Sequence, residues 1–138
     1  MDKDEIKKIL PHREPMLLVD RAEISPDGKT CVGEVTITGE EWFLQGHFPD
    51  NPVVPGVIQC EMMAQACCVL LKDELAAGKT PYFTGMDKIK FRKMVKPGDT
   101  LVTEAALTKA RPPFYFASVR ASVGDETAAQ GELSFVIK

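Results

Sequence analysis

The apolar positions of this 138-residue chain fall into three regimes: two short stretches near the start, a long block apolar on every side, then alternation to the end. Residues 16–24 read as one strand. Residues 30–38 read as a second, with Cys31, Val32, Val35 and Ile37 as its apolar positions. Pro26-Asp27-Gly28 between them has the composition of a turn. Ahead of both, residues 2–9 predict a short amphipathic helix. Asp2 and Asp4 sit at its positive end, Lys7 and Lys8 lie toward its negative end, and Pro11 stops it.

The block runs from Val57 to Ala77. From Val57 and Ile58 through Cys60, Met62 and Met63 to Leu70 and Leu71, its apolar residues go nearly all the way round a helix. A helix of that kind is buried, and at about 20 residues it is roughly 30 Å long. It turns polar only at Lys72, Asp73 and Glu74, and Gly78 suits the position just past its end. Residues 81–95, 100–109, 114–123 and 127–137 then read as strands. From Lys88 the first alternates, with Lys88, Lys90 and Arg92 on one side and Ile89 and Phe91 on the other. Pro97-Gly98-Asp99, Pro112-Pro113 and Gly124-Asp125 supply the connections. These are too short for helical crossovers, so the pattern predicts an antiparallel meander. A sheet wrapped on the helix makes residues 1–138 one α+β domain.

Composition adds exclusions. Hydrophobic content of 44% and charge of 27% are ordinary for a soluble domain, and a net charge of −3 argues against a nucleic-acid protein. The charged N-terminus has no apolar signal-peptide region, and no apolar run is long enough for a membrane span. Cys31, Cys60, Cys67 and Cys68 lack Cys-x-x-Cys spacing and read as buried free thiols in a reducing cytoplasm. The two histidines and scattered carboxylates have no metal-ligand spacing, so neither a metal nor another cofactor is expected.

The chemistry concentrates in residues 46–65. His47 lies in a loop stiffened by Pro49, Pro52 and Pro55. Glu61, fourteen residues on, interrupts the apolar helix. Glu61 has two readings of about equal weight. It lies on a water-facing strip with Gln65, one turn on, or it is a proton donor that the apolar surroundings keep more easily protonated than in water. Gln65 is then placed to orient it. Gly56 and Val57 offer unpaired N–H groups at the helix start, able to polarise a carbonyl oxygen; the plainer reading of Pro55-Gly56 is a helix start alone. Together these groups suggest removal of a proton α to a carbonyl by His47 and protonation of a β-hydroxyl by Glu61, a reversible elimination of water.

Residues 9–15 (Ile-Leu-Pro-His-Arg-Glu-Pro), 17–21, Gly46-His47-Phe48-Pro49, 52–57, Glu61, Ala64-Gln65, 85–88, 91–93 and 97–99 form an ordered set over nearly the whole chain. This set closely resembles the (3R)-hydroxyacyl-[acyl carrier protein] dehydratases of bacterial type II fatty-acid synthesis, a hot-dog-fold family. The resemblance implies a central helix wrapped by an antiparallel sheet. It implies a homodimer with shared active sites, His47 from one subunit and Glu61 from the other, with trimers of dimers usual. Gly56 matches the glycine whose N–H meets the thioester carbonyl, and Gln65 matches a glutamine that supports the glutamate. Related dehydratase-isomerases typically carry aspartate where this chain has Glu61, although some glutamate-bearing relatives also isomerise trans-2 to cis-3 enoyl chains. The chain departs from the commonest family pattern at Met16 and Met62, where phenylalanine and alanine are usual. A non-catalytic acyl-binding protein and a thioesterase are the alternatives on the same fold. The acyl carrier protein is acidic, so a basic docking patch is expected, with Lys88, Lys90, Arg92 and Lys93 as candidates. Each of them singly reads equally well as a solvated strand edge.

Overall fold

The computed structural model describes residues 1–138. A six-stranded, wholly antiparallel sheet packs one face on a central helix. In chain order the elements are α1 (Lys3–Ile6), β1 (Arg21–Ile24), β2 (Thr30–Thr36), α2 (Gly56–Cys68), α3 (Lys72–Leu75), β3 (Pro81–Phe91), β4 (Thr100–Arg111), β5 (Phe114–Val123) and β6 (Glu126–Ile137). The α+β layer expected from the apolar block is present. No helix is long and apolar enough to cross a membrane.

Burial alternates along β2, β5 and the first half of β4, as a one-sided sheet requires. Along β5, Tyr115, Ala117, Val119 and Ala121 are buried, and the residues between them are exposed from Phe114 to Arg120. The facing helix is buried at every residue from Met62 to Cys68, as an all-round apolar helix must be. Helix and sheet touch closely at Gly33. A Cβ there would stand 2.6 Å from Cβ of Ala66, so the approach requires the absence of a side chain. All four cysteines are buried and unpaired. Met62, one of the two departures from the family pattern, is 2% exposed in the core, and Met16, the other, is exposed at 39%.

Several expectations are corrected. The first helix is one turn, Lys3–Ile6. Asp2 caps it through a reciprocal hydrogen-bonded box with Glu5. The predicted strand 16–24 shrinks to Arg21–Ile24 because Leu17, Leu18 and Val19 are buried consecutively rather than alternately. The Leu18 N–H bonds to a helix side chain instead of a strand. The long helix is α2 and α3 joined by one 3₁₀ turn, Val69–Leu71, and Gly78 takes the positive φ (78°) foreseen for it. Trp42–Leu44, just ahead of the His47 loop, forms a 3₁₀ turn.

The strands after the helix are not a simple meander. β4, β5 and β6 are, but β3 pairs with β6 at the far edge, giving the order β1-β2-β4-β5-β6-β3. β3 also stops at Phe91, not at residue 95, and a bulge between Asp87 and Lys90 breaks the alternation read from Lys88. Residues 92–99 cross the end of the sheet. They are fastened where Val54 N–H donates to the Val95 carbonyl (2.8 Å) and Ile37 N–H to the Asp99 carbonyl (2.9 Å).

Candidate functional site

His47 is held by the backbone of its own loop. Its N–H donates to the Leu44 carbonyl at 3.1 Å, and its carbonyl accepts from Val53 N–H at 2.9 Å. Its ring Nδ1 lies 2.8 Å from the Val53 carbonyl. A carbonyl only accepts, so in the neutral ring Nδ1 carries the hydrogen and Nε2 keeps a free lone pair. The ring stacks on Phe48 at 4.1 Å between centroids.

His47 lines an open cleft of about 690 Å³ with Gly56, Gln59, Phe91, Arg92 and Lys93 among its walls. α2 starts in this cleft with no side-chain cap. Gly56 and Val57 have no backbone acceptor for their N–H groups, as expected of first-turn donors. A Cβ on Gly56 would meet the Phe91 ring at 2.9 Å, so glycine keeps the backbone close to that wall. Gln59 also lines the cleft. It is 3% exposed, and its Oε1 has no partner.

Glu61 sits elsewhere. It lines a separate cavity of about 40 Å³ with His12, Gln65, Cys68 and Phe83. Gln65 is 1% exposed, which removes the water-facing-strip reading. Its amide nitrogen donates to Glu61 Oε1 at 2.9 Å and to the Met16 carbonyl at 2.7 Å, and its Oε1 accepts from Leu18 N–H at 2.7 Å. One side chain thus orients the glutamate and ties the N-terminal segment to the helix. His12 Nε2 stands 3.7 Å from the same Glu61 oxygen. Sequence reasoning missed this contact, since nothing in the spacing from 12 to 61 signals it.

Within the one chain, then, His47 and Gly56 share a cleft, Glu61 and Gln65 share another, and the two do not merge. Of the basic candidates, Arg92 and Lys93 line the His47 cleft. Lys93 also pairs with Glu126 at 3.3 Å, Lys88 pairs with Glu132 at 3.7 Å away from the cleft, and Lys90 lies opposite Gln130 in the sheet. The thiols are poor nucleophiles. Burial pushes Cys31 up to about 11 and Cys67 up to about 12, and it raises Cys60 and Cys68 as well.

A family model described as a FabA-like domain matches residues 10–132. A 3-hydroxyacyl-[acyl-carrier-protein] dehydratase FabZ of Oenococcus oeni is 48% identical, covering 100% of both chains. One from Caldicellulosiruptor bescii is 49% identical, covering 98% of this chain and 97% of its own. Among solved structures, the dehydratase heterocomplex ApeI:P from Xenorhabdus doucetiae superposes with a TM-score of 0.82 at 20% identity, over 96% of this chain and 90% of that one. A fluoroacetyl-CoA-specific thioesterase, FlK, gives 0.68 at 16% identity, over 80% and 93%. At those identities the two structures establish the fold alone, and it is the hot-dog fold.

Proposed function

The chain belongs to the FabA-like family and, within it, to the 3-hydroxyacyl-[acyl-carrier-protein] dehydratases, and from that premise we propose that His47 and Glu61 eliminate water from a (3R)-hydroxyacyl thioester. The thioester is carried on the phosphopantetheine arm of an acyl carrier protein, and the product is the trans-2-enoyl thioester of fatty-acid elongation. The observation that carries the reading is the fixed ring of His47. With Nδ1 committed to Val53, Nε2 is the basic nitrogen, and it shares a cleft with an uncapped helix start.

The steps follow. The thioester carbonyl oxygen lies against the N–H groups of Gly56 and Val57, which stabilise negative charge as it develops there. Nε2 of His47 takes the α-proton, and the electron pair moves to form the Cα–Cβ double bond. Glu61, protonated, gives its proton to the β-hydroxyl, the C–O bond breaks and water leaves. Proton return from His47 to Glu61 resets the site. Gln65 keeps the glutamate oriented throughout.

We place this chemistry at a homodimer interface, with His47 of one protomer facing Glu61 of the other. Two observations support it. The two residues line separate cavities in a single chain. β3 is an open sheet edge carrying exposed Tyr82, Phe83, Met86 and Phe91, a combination that invites pairing with a second copy. A trimer of such dimers is the assembly the family resemblance suggests. For the acidic carrier protein, Arg92 and Lys93 at the mouth of the His47 cleft are better placed than Lys88 and Lys90. We assign the protein to the cytoplasm because its four thiols are unpaired.

The test is product analysis with 3-hydroxydecanoyl thioester. The trans-2-decenoyl thioester is the expected product. A cis-3-decenoyl product would move the protein to the isomerase branch, and free thiol release to the thioesterases. Binding without turnover would leave an acyl-binding protein.

A further inference from the structure

The elimination above uses one histidine and leaves the other, His12, without a task. Its position is built. The Arg13 guanidinium donates to the carbonyls of Lys7, Leu10 and His12, at 3.0, 2.9 and 2.7 Å, and so fixes the turn that carries the ring. Gln65 fastens the segment just beyond, at Met16 and Leu18. The His12 and Glu61 side chains are equally enclosed, at 22% exposed each. Between them lies the cavity of about 40 Å³, room for a water molecule.

The ring's other nitrogen fixes its chemistry. His12 Nδ1 is buried and has no partner. A buried N–H without an acceptor is rarer and costlier than a buried lone pair without a donor. The hydrogen of the neutral ring therefore belongs on Nε2, the atom facing Glu61. At 3.7 Å this is too long for a direct hydrogen bond but within range of a single bridging water or a small ring rotation. Oε1 of Glu61 thus accepts directly from the Gln65 amide and faces a second donor, the His12 Nε2–H, across the distance of one water or a small ring rotation.

We propose that His12 is a positioning residue for Glu61, forming with Gln65 a two-donor bracket on Oε1 that leaves Oε2 to carry the transferable proton. The proposal rests on the dehydratase reading for its consequence in catalysis, though not for its geometry. An oxygen that accepts from one donor and faces a second is a poor place for a proton, so the acid form of Glu61 is directed to one oxygen and one face. Burial of His12 favours a neutral ring over the opposing pull of Glu61. Burial, the largest influence, lowers its pKa; Glu61 raises it and Arg13 lowers it again. Cys68, on the cavity wall, is a neutral thiol because burial pushes its pKa well up.

The chain has 2 histidines, so a His47→Ala variant leaves His12 as the sole imidazole signal in an NMR titration. The expected nitrogen shifts at neutral pH are those of the Nε2–H tautomer. Adding Glu61→Gln to this background should lower the His12 midpoint by about half a pH unit or more, since a facing carboxylate that favours the charged ring is gone. In the otherwise native chain, His12→Ala should lower kcat about tenfold with KM within about twofold, and His12→Gln, which keeps a donor, should recover part of the loss. An Nδ1–H tautomer, an unmoved midpoint, or an unchanged kcat in His12→Ala overturns the bracket. A moved midpoint in a protein whose native form eliminates no water upholds the bracket and overturns the dehydratase reading instead.

Discussion

The two halves of the candidate site are held by opposite means. His47 is fixed from within its own loop, by backbone groups of Leu44 and Val53 at most six residues away. Glu61 is fixed by a buried side chain, Gln65, which reaches back 49 residues to Met16 and 47 to Leu18. The histidine half is a local device, whereas the glutamate half is part of the tertiary structure. Damage to the first should cost activity with little cost in folding, and damage to the second should cost both.

The largest effect tests whether the halves belong to different chains. His47→Ala and Glu61→Gln should each lower hydration of a trans-2-enoyl thioester by roughly 10²–10⁴, followed as loss of enoyl absorbance. Mixing the two dead proteins under subunit exchange should restore activity at about a quarter of the sites, since each hybrid dimer has one intact pair. Failure to regain activity despite demonstrated exchange would point to a one-chain site.

Next is Gln65→Leu, which removes three hydrogen bonds and leaves the Leu18 N–H and the Met16 carbonyl without that partner. A loss of about 3 kcal/mol in denaturant unfolding is expected together with a fall in kcat. No single side-chain change on the histidine side has this double effect, because its partners are backbone. Unchanged stability in Gln65→Leu would erase the contrast.

Two glycines refine it. Gly33→Ala drives a methyl group to 2.6 Å from Cβ of Ala66 and 3.4 Å from its Cα, on the helix that carries Glu61. It should cost about 1–3 kcal/mol. Gly56→Ala meets only the ring of Phe91, itself half exposed and able to swing aside. Its stability cost should stay under about 1 kcal/mol, with the effect appearing as a raised KM for the thioester. The smallest effect is chemical. Cys60, Cys67 and Cys68 all lie on the glutamate helix, and burial raises each thiol pKa. A thiol reagent at pH 8 should leave the native protein's activity intact, and all four cysteines should react once it is unfolded.

The same contrast explains what the sequence made legible. His47, Gly56 and the helix are local features, marked by prolines, a Pro-Gly start and an all-round apolar block, and the structure has the loop and the helix start where the pattern put them, with the helix broken only at Val69–Leu71. Glu61 and Gln65 could be paired because one helical turn separates them. Their link to residues 16–18 could not, since it replaces a strand ladder with a side chain distant in sequence. The contact of His12 with Glu61 is unmarked in the sequence for the same reason. The placement of β3 was illegible in a further way. Alternation tells which residues share a face, but not which strand is the neighbour. The short segment 92–99 was equally compatible with a turn back onto β4.

That placement bears on how the molecule comes into being. β3 can join the sheet only through β6, the last strand in chain order, so the open edge proposed to receive a second copy cannot exist until residues 126–137 are available. The strand order therefore acts as a clock. Association by this edge is deferred until a chain is complete through β6, and before that the open strand on this side of the sheet is β5 rather than β3.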